Sequence, residues 1–358
     1  MTFYEQLQLG QAGSKAYIKQ AETSQERTKR ILIFLSKIVI TLAFCVAFVG
    51  LFGKIFGTVN STAGVVLLLF VLVFRQVDLG ICTKHGAYVM LGIGAIMIAV
   101  PKIATMLSPI PAFFVHFLAI FGLTVLGCHQ VQMRNQGTIV MAYILLLGYP
   151  VSGMDYVKRA IGLALGFCWI ASILYRSHKN KAHTDTALDL YKQFDLKTDR
   201  SFWQLGMPLT VSVTMLVAEL LHFPRVIWVG FAALSVTQML KQDRIQRTRH
   251  RLAGVLAGVC AYWLLMQLIP MEWAAYLGML GGFCVGFCVD YRWQTMFNCF
   301  GALSMATILL GVEGAAFYRL ADTVFGALFA LAFYAIYEKM GEKWKESCMT
   351  MKQEMNKG

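Results

Sequence analysis

Residues 31–52 read ILIFLSKIVITLAFCVAFVGLF, 22 residues with one charge, Lys37. A helix needs about 20 mostly apolar residues to cross a bilayer core of about 30 Å. The run therefore predicts a membrane span. The basic stretch Arg27-Thr-Lys-Arg30 stands just before it, after a polar start. Its length and flanks do not suit a cleavable signal peptide. Working outward, similar runs recur at about 60–75, 86–104, 109–128, 137–150, 154–175, 203–222, 225–240, 250–269, 272–289, 293–312 and 316–337, the fifth being the shortest. The expected fold is all-α: a polytopic membrane protein with about twelve transmembrane helices.

Composition points the same way. The chain has 358 residues, 58% hydrophobic and 14% charged, with mean hydropathy +0.60. Soluble domains run near 45–50% apolar and about 25% charged. An ordinary soluble enzyme, a disordered chain, a coiled coil and a disulfide scaffold are excluded. Cys45, Cys128, Cys168, Cys260, Cys284, Cys288 and Cys299 lie inside apolar runs, where cysteine acts as a small hydrophobe. Cys284 and Cys288 have no His or carboxylate beside them at metal spacing, so no metal is expected. Gly53-Lys54 lacks the Ser or Thr of a phosphate-binding loop, and no catalytic motif is present. Neither a cofactor nor enzymatic activity is expected.

The net charge of +13 has a topological explanation. With both termini cytoplasmic, 25 of the 32 Lys and Arg fall on the inner side. They occupy the N-terminal segment, the loops holding Arg75, Lys84, Arg134 and Arg292, the central linker, the stretch Lys241 to Arg251, and the tail. Six fall outside: Lys54, Lys102, Lys158, Arg159, Arg225 and Arg319. Such a bias sets orientation in membranes, and it accounts for the charge without nucleic acid.

The chain also reads as an internal duplication. Ile144-Leu-Leu-Leu-Gly148, Gly153 and Arg159 correspond to Ile308-Leu-Leu-Gly311, Gly314 and Arg319; Gly166 and Gly326 follow each arginine by seven residues. Asp78 and Asp243 hold matching places after spans two and eight, as Arg134 and Arg292 do after four and ten. The expected organisation is a cytoplasmic segment 1–30, a six-helix repeat 31–176, a cytoplasmic linker 177–202, a second repeat 203–337 and a cytoplasmic tail 338–358. Two parallel repeats would be related by a pseudo-twofold along the membrane normal. The linker carries a short amphipathic piece with Leu188, Tyr191 and Phe194.

Small residues recur at four-residue spacing: Gly162 and Gly166, Gly254 and Gly258, and Gly278, Gly282 and Gly286. Glycine at this spacing lets backbones approach closely in lipid.

Pro224-Arg-Val-Ile-Trp228 through Gln238, a charged loop, and Arg251-x-x-Gly254-x-x-x-Gly258 resemble the fusaric acid resistance-like (FUSC) module of the aromatic acid exporter superfamily. Met239 follows Gln238 where that module commonly has Pro, and its usual Thr in the third helix is absent. The resemblance covers about 30–176 and 205–337, with the sharpest match in spans seven to nine. It implies export of aromatic or related organic acids, often with a periplasmic adaptor protein, from a bacterial plasma (inner) membrane.

An anion conduit needs cationic side chains within reach of the membrane interior. The substrate-binding candidates are Lys158, Arg159 and Arg319 at the outer ends of spans six and twelve, and Arg75, Lys241 and Arg251 at inner helix ends. Snorkelling to headgroups is the alternative for each. Glu219 and Asp322 are candidates for proton coupling. For Asp322 an ion pair with Arg319 is the alternative; for Glu219 it is simple hydration. The leading expectation is a secondary, not ATP-driven, exporter. A passive organic-anion channel and a non-transporting membrane scaffold are the alternatives.

Overall fold

The computed structural model describes residues 1–355, with side chains through Trp344. Lys345, Lys352 and Lys357 of the expected inner tail therefore lie outside the described side chains. Among the described residues the elements are helical: α1 (Phe3–Gln8), α2 (Gln11–Lys19), α3 (Ser24–Phe56), α4 (Ser61–Phe74), α5 (Thr83–Ala104), α6 (Pro109–Gly127), α7 (Gln136–Leu147), α8 (Gly153–His178), α9 (Asp189–Lys192), α10 (Asp199–Leu220), α11 (Val226–Val236), α12 (Lys241–Leu268), α13 (Ala274–Val285) and α14 (Tyr291–Met355), with short 3-10 turns between some of them.

Among the described residues, seven helices are long and apolar enough to cross a membrane: α3, α5, α6, α8, α10, α12 and α14. The last is broken at Gly311, whose φ of 70° is open to glycine and strained for other residues. The break makes two helical segments of it, at the junction expected between spans eleven and twelve. Expected spans two, five, eight and ten are the short helices α4, α7, α11 and α13, of 14, 12, 11 and 12 residues. At 1.5 Å per residue they reach only about 16–21 Å. The apolar runs overstated them because hydrophobicity continues past the helix ends. At α11, Thr237 leaves helical geometry (φ −82°, ψ 72°) and its carbonyl accepts from Trp203 Nε1 at 3.2 Å.

The chain forms two compact units that interleave its halves: residues 1–48 with 247–321, and residues 49–246 with 322–358. In the first unit α3 packs on the end of α13, with Phe34 edge-on to Phe287 at 5.9 Å and Ile38 filling the space beside Gly286. Lys37, inside the first apolar run, donates to the Leu9 carbonyl. A Cβ on Gly254 would lie 2.5 Å from the Arg292 carbonyl oxygen, and one on Gly258 would strike that of Met296. These glycines bring α12 against the backbone of α14. Gly278 meets Ser304 in the same way, whereas Gly282 has open space to Leu42.

In the second unit α10 packs on α6, α11 on α7, and α8 on α4 and α5. Gly162 faces Phe52 and Gly166 faces Leu67 across close helix contacts. The linker lies on this unit. The Cys82 N–H donates to the Asp185 carbonyl at 2.8 Å, and Thr83 to that of His178 at 2.9 Å. The amphipathic piece docks by the expected Phe194, edge-on to Phe121, and by the buried Leu190, whereas Leu188 and Tyr191 are exposed. A single turn, as α9 is, is too short for helical periodicity to define a face.

Candidate functional site: an arginine-lined inner vestibule

The polar contacts of the second unit sort by side. Lys181 and His183 meet Asp78, Arg134 meets Asp243, and Arg244 meets Glu338. All of these lie on the side that the charge count makes inner. Asn60 meets the Asp155 carbonyl and Lys102 that of Val151, both on the side that the charge count makes outer.

A cavity of about 720 Å³ lies among the helix ends on the inner side of this unit by that count, lined by His129, Gln130, Val131, Gln132, Arg134, Arg200, Gln238, Met239, Leu240 and Asp243. Its walls come from the α6–α7 loop, the start of α10 and the exit of α11. Each wall is fastened from behind. Asn135 Nδ2 donates to the carbonyls of Asp78 and Gly127, both at 3.0 Å. Gly80 has φ 74° and packs beneath Gln130, with its N–H on Asp78 Oδ1 at 2.8 Å. Arg244, 4% exposed, donates to the carbonyls of Gln238 (2.9 Å) and Met239 (3.0 Å) and to Glu338 Oε2 (2.6 Å). Its guanidinium also lies 4.8 Å from the Tyr334 ring centre. Thr198 caps α10 through the Ser201 N–H, which fixes where Arg200 emerges.

Inside the cavity the arginines differ. Arg200 Nη1 lies 3.3 Å from His129 Nδ1, and Nη2 donates to the Gln193 carbonyl at 2.9 Å. Its buried Nε has no partner among the described residues. A guanidinium only donates, so His129 Nδ1 accepts and the imidazole is neutral, its Nε2–H directed to Asp185 Oδ2 at 3.3 Å. Burial and the Arg200 charge hold the His129 pKa below the usual histidine value, against the pull of Asp185 and Asp189. Arg134 stands at a left-handed backbone position, φ 54°, and its Nη2 lies 3.6 Å from Asp243 Oδ2. Behind the wall, burial pushes the Asp78 carboxyl up. Hydrogen bonds from Lys181 (2.7 Å), the Gly80 N–H and His183 (3.1 Å) outweigh burial and bring it below the ordinary aspartate range.

The sequence candidates lie elsewhere. Arg159 is 6% exposed and donates to Asn60 Oδ1 (2.9 Å) and to the carbonyls of Tyr149 (2.6 Å) and Val59 (3.3 Å). It borders a space of about 20 Å³, enough for water only. Arg319, in the first unit, and Asp322, at the resumption of the second, are both buried. Arg251 is buried and donates to the Tyr291 hydroxyl at 3.2 Å. Lys158, Arg75 and Lys241 are exposed, and Glu219 is half-buried near the end of α10. None of these lines the vestibule. Arg200, Gln130 and Gln132 were not singled out as site residues by sequence, because separate stretches of chain, the α6–α7 loop and the start of α10, supply them. Gln238, at the end of the family-like phrase, was the available signal.

No curated protein and no solved structure matches the chain. The match that exists begins within α10, ends within α14, and includes the Gln238–Asp243 wall of the vestibule. Residues 213–333 match the model of the family described as fusaric acid resistance protein-like, and over that segment this helical membrane protein is similar to that family.

Proposed function

We propose that this protein is a secondary transporter that exports organic acids, aromatic acids among them, across a bacterial inner membrane. Both termini are cytoplasmic in this reading, the chain is two parallel six-helix repeats, and a periplasmic adaptor receives the product. The activity is movement of an intact anion, not a chemical reaction. The single observation that carries the reading is the inner vestibule. Two arginines and three glutamine amides line it, and the family-matching segment supplies Gln238, Met239, Leu240 and Asp243 of its wall. A volume of about 720 Å³ falls within the range of small-molecule sites. Guanidinium forks suit carboxylates. Val131, Met239 and Leu240 offer apolar contact to an organic body.

A cellular experiment tests this. Bacteria producing the protein are loaded with labelled 4-hydroxybenzoate, and retention is followed against cells producing an Arg200→Gln variant at equal membrane level. Faster loss with the parent protein supports export. Equal retention across a panel of aromatic and aliphatic acids rejects it in favour of a scaffold.

A further inference from the structure

We infer that a monovalent organic carboxylate binds in the inner vestibule by taking the place of Asp243 at Arg134, so that Asp243 is a built-in counter-ion the ligand displaces. The inference deepens the transport reading, and it concerns binding, which is measurable without transport.

Charge balance comes first. The lining holds two guanidiniums, Arg134 and Arg200, one carboxylate, Asp243, and a His129 whose Nδ1 serves as acceptor. The net is one positive charge. One monocarboxylate neutralises it, while a dicarboxylate leaves an excess negative charge in a partly enclosed space.

Two neighbouring ion pairs differ in kind. Arg244 and Glu338 stand at 2.6 Å, the arginine 4% exposed, with further donations to two carbonyls. That pair is structural. Arg134 and Asp243 stand at 3.6 Å through one nitrogen, with side chains 56% and 38% exposed. A pair so open and so long is worth little, and an incoming carboxylate can replace it at small cost. The Arg134 backbone remains in place, because Asn135 beside it is tied to two carbonyls. Arg200, a lining residue, also has a buried Nε donor with no acceptor among the described residues. A carboxylate held between Arg134 and Arg200 supplies one.

The test uses the purified full chain in detergent at pH 7.5. Binding of benzoate, benzamide and phthalate is measured by calorimetric titration, with thermal shift as a second readout. Benzoate binds, neutral benzamide does not, and phthalate binds more weakly than benzoate. Asp243→Asn removes the internal competitor and tightens benzoate about two- to fivefold, the scale of one exposed ion pair. Asp243→Glu keeps the competitor and matches the parent protein. Arg134→Gln weakens benzoate about tenfold, the scale of one charged hydrogen bond. Should Asp243→Asn fold poorly, Asp243→Ser gives the same reading. Benzoate binding that is unchanged or weaker in Asp243→Asn overturns the inference, as does equal binding of benzamide. Tightened binding without transport in liposomes rejects the transport reading and leaves this inference standing. Transport with unaltered binding in Asp243→Asn does the reverse.

Discussion

Arg159 Nε donates to Asn60 Oδ1 at 2.9 Å and ties α8 to the start of α4 across 99 residues of chain. The same guanidinium holds the Tyr149 and Val59 carbonyls, so one side chain fastens two outer loops. Arg159→Gln therefore lowers stability by about 2–3 kcal/mol, the scale of charged hydrogen bonds, and the melting temperature in detergent falls. Arg159→Lys recovers part of the loss. A substrate-binding role alone predicts the opposite pattern, with transport lost and melting unchanged.

The glycines separate packing from spacing. Gly258→Val drives a side chain into the Met296 carbonyl, where backbone cannot give way. Overpacking of this kind costs about 1–3 kcal/mol or more, and the variant accumulates poorly in the membrane. Gly282→Ala meets only Leu42 at 4.0 Å and behaves as the parent protein. Equal behaviour of the two variants, judged by monodisperse yield, contradicts the close approach of α12 and α14.

How far the sequence went can be argued from particular residues. The run at 31–52 declared a span because length and apolarity are local properties, and α3 covers it. Gly254 and Gly258 declared close packing by spacing alone. The vestibule was not legible, because His129, Arg134, Arg200 and Asp243 meet only after α6, α10 and α11 have packed. Arg159 misled for a related reason. A cation near a helix end looks available until the loop carbonyls around it are placed.

The linker responds to pH in two windows. His129 has a depressed folded pKa, so its neutral contacts contribute stability above the unfolded value of about 6.5 and lose it as pH falls below that. Asp78 is also depressed, so its contribution persists until pH falls below about 3.9. Hydrogen exchange over Asp185–Gln193, corrected for intrinsic rates, rises between pH 7 and 5 and stays flat in His129→Gln. Flat exchange in the parent protein would contradict the His129 assignment.

Asp78→Asn tests the linker anchor at neutral pH. The carboxylate is 3% exposed, while Lys181 is nearly half-exposed, so the loss is on the order of 1–3 kcal/mol after solvent screening. Trypsin then cleaves at Lys179 or Lys181 faster than in the parent protein. Unchanged cleavage would mean that Asp78 does not hold the linker.

Orientation follows from the charge bias. Lys54→Cys and Lys241→Cys both sit at exposed positions, and an impermeant thiol reagent labels the first from outside cells and the second only after permeabilisation. The natural cysteines are replaced by alanine in both backgrounds. Labelling of both from outside would remove the six-plus-six arrangement.

The central claim, transport of an organic anion through a vestibule lined by Arg134 and Arg200, is tested most directly by counterflow. Proteoliposomes containing the full chain are loaded with unlabelled 4-hydroxybenzoate and diluted into labelled acid, with and without a pH gradient. The account predicts transient accumulation of label that depends on the gradient and falls at least tenfold in an Arg134→Gln, Arg200→Gln double variant, on the scale of two charged hydrogen bonds. Label that equilibrates without accumulating would indicate a passive channel. No movement of label, across a panel of aromatic and aliphatic acids and with the protein folded, would contradict the account.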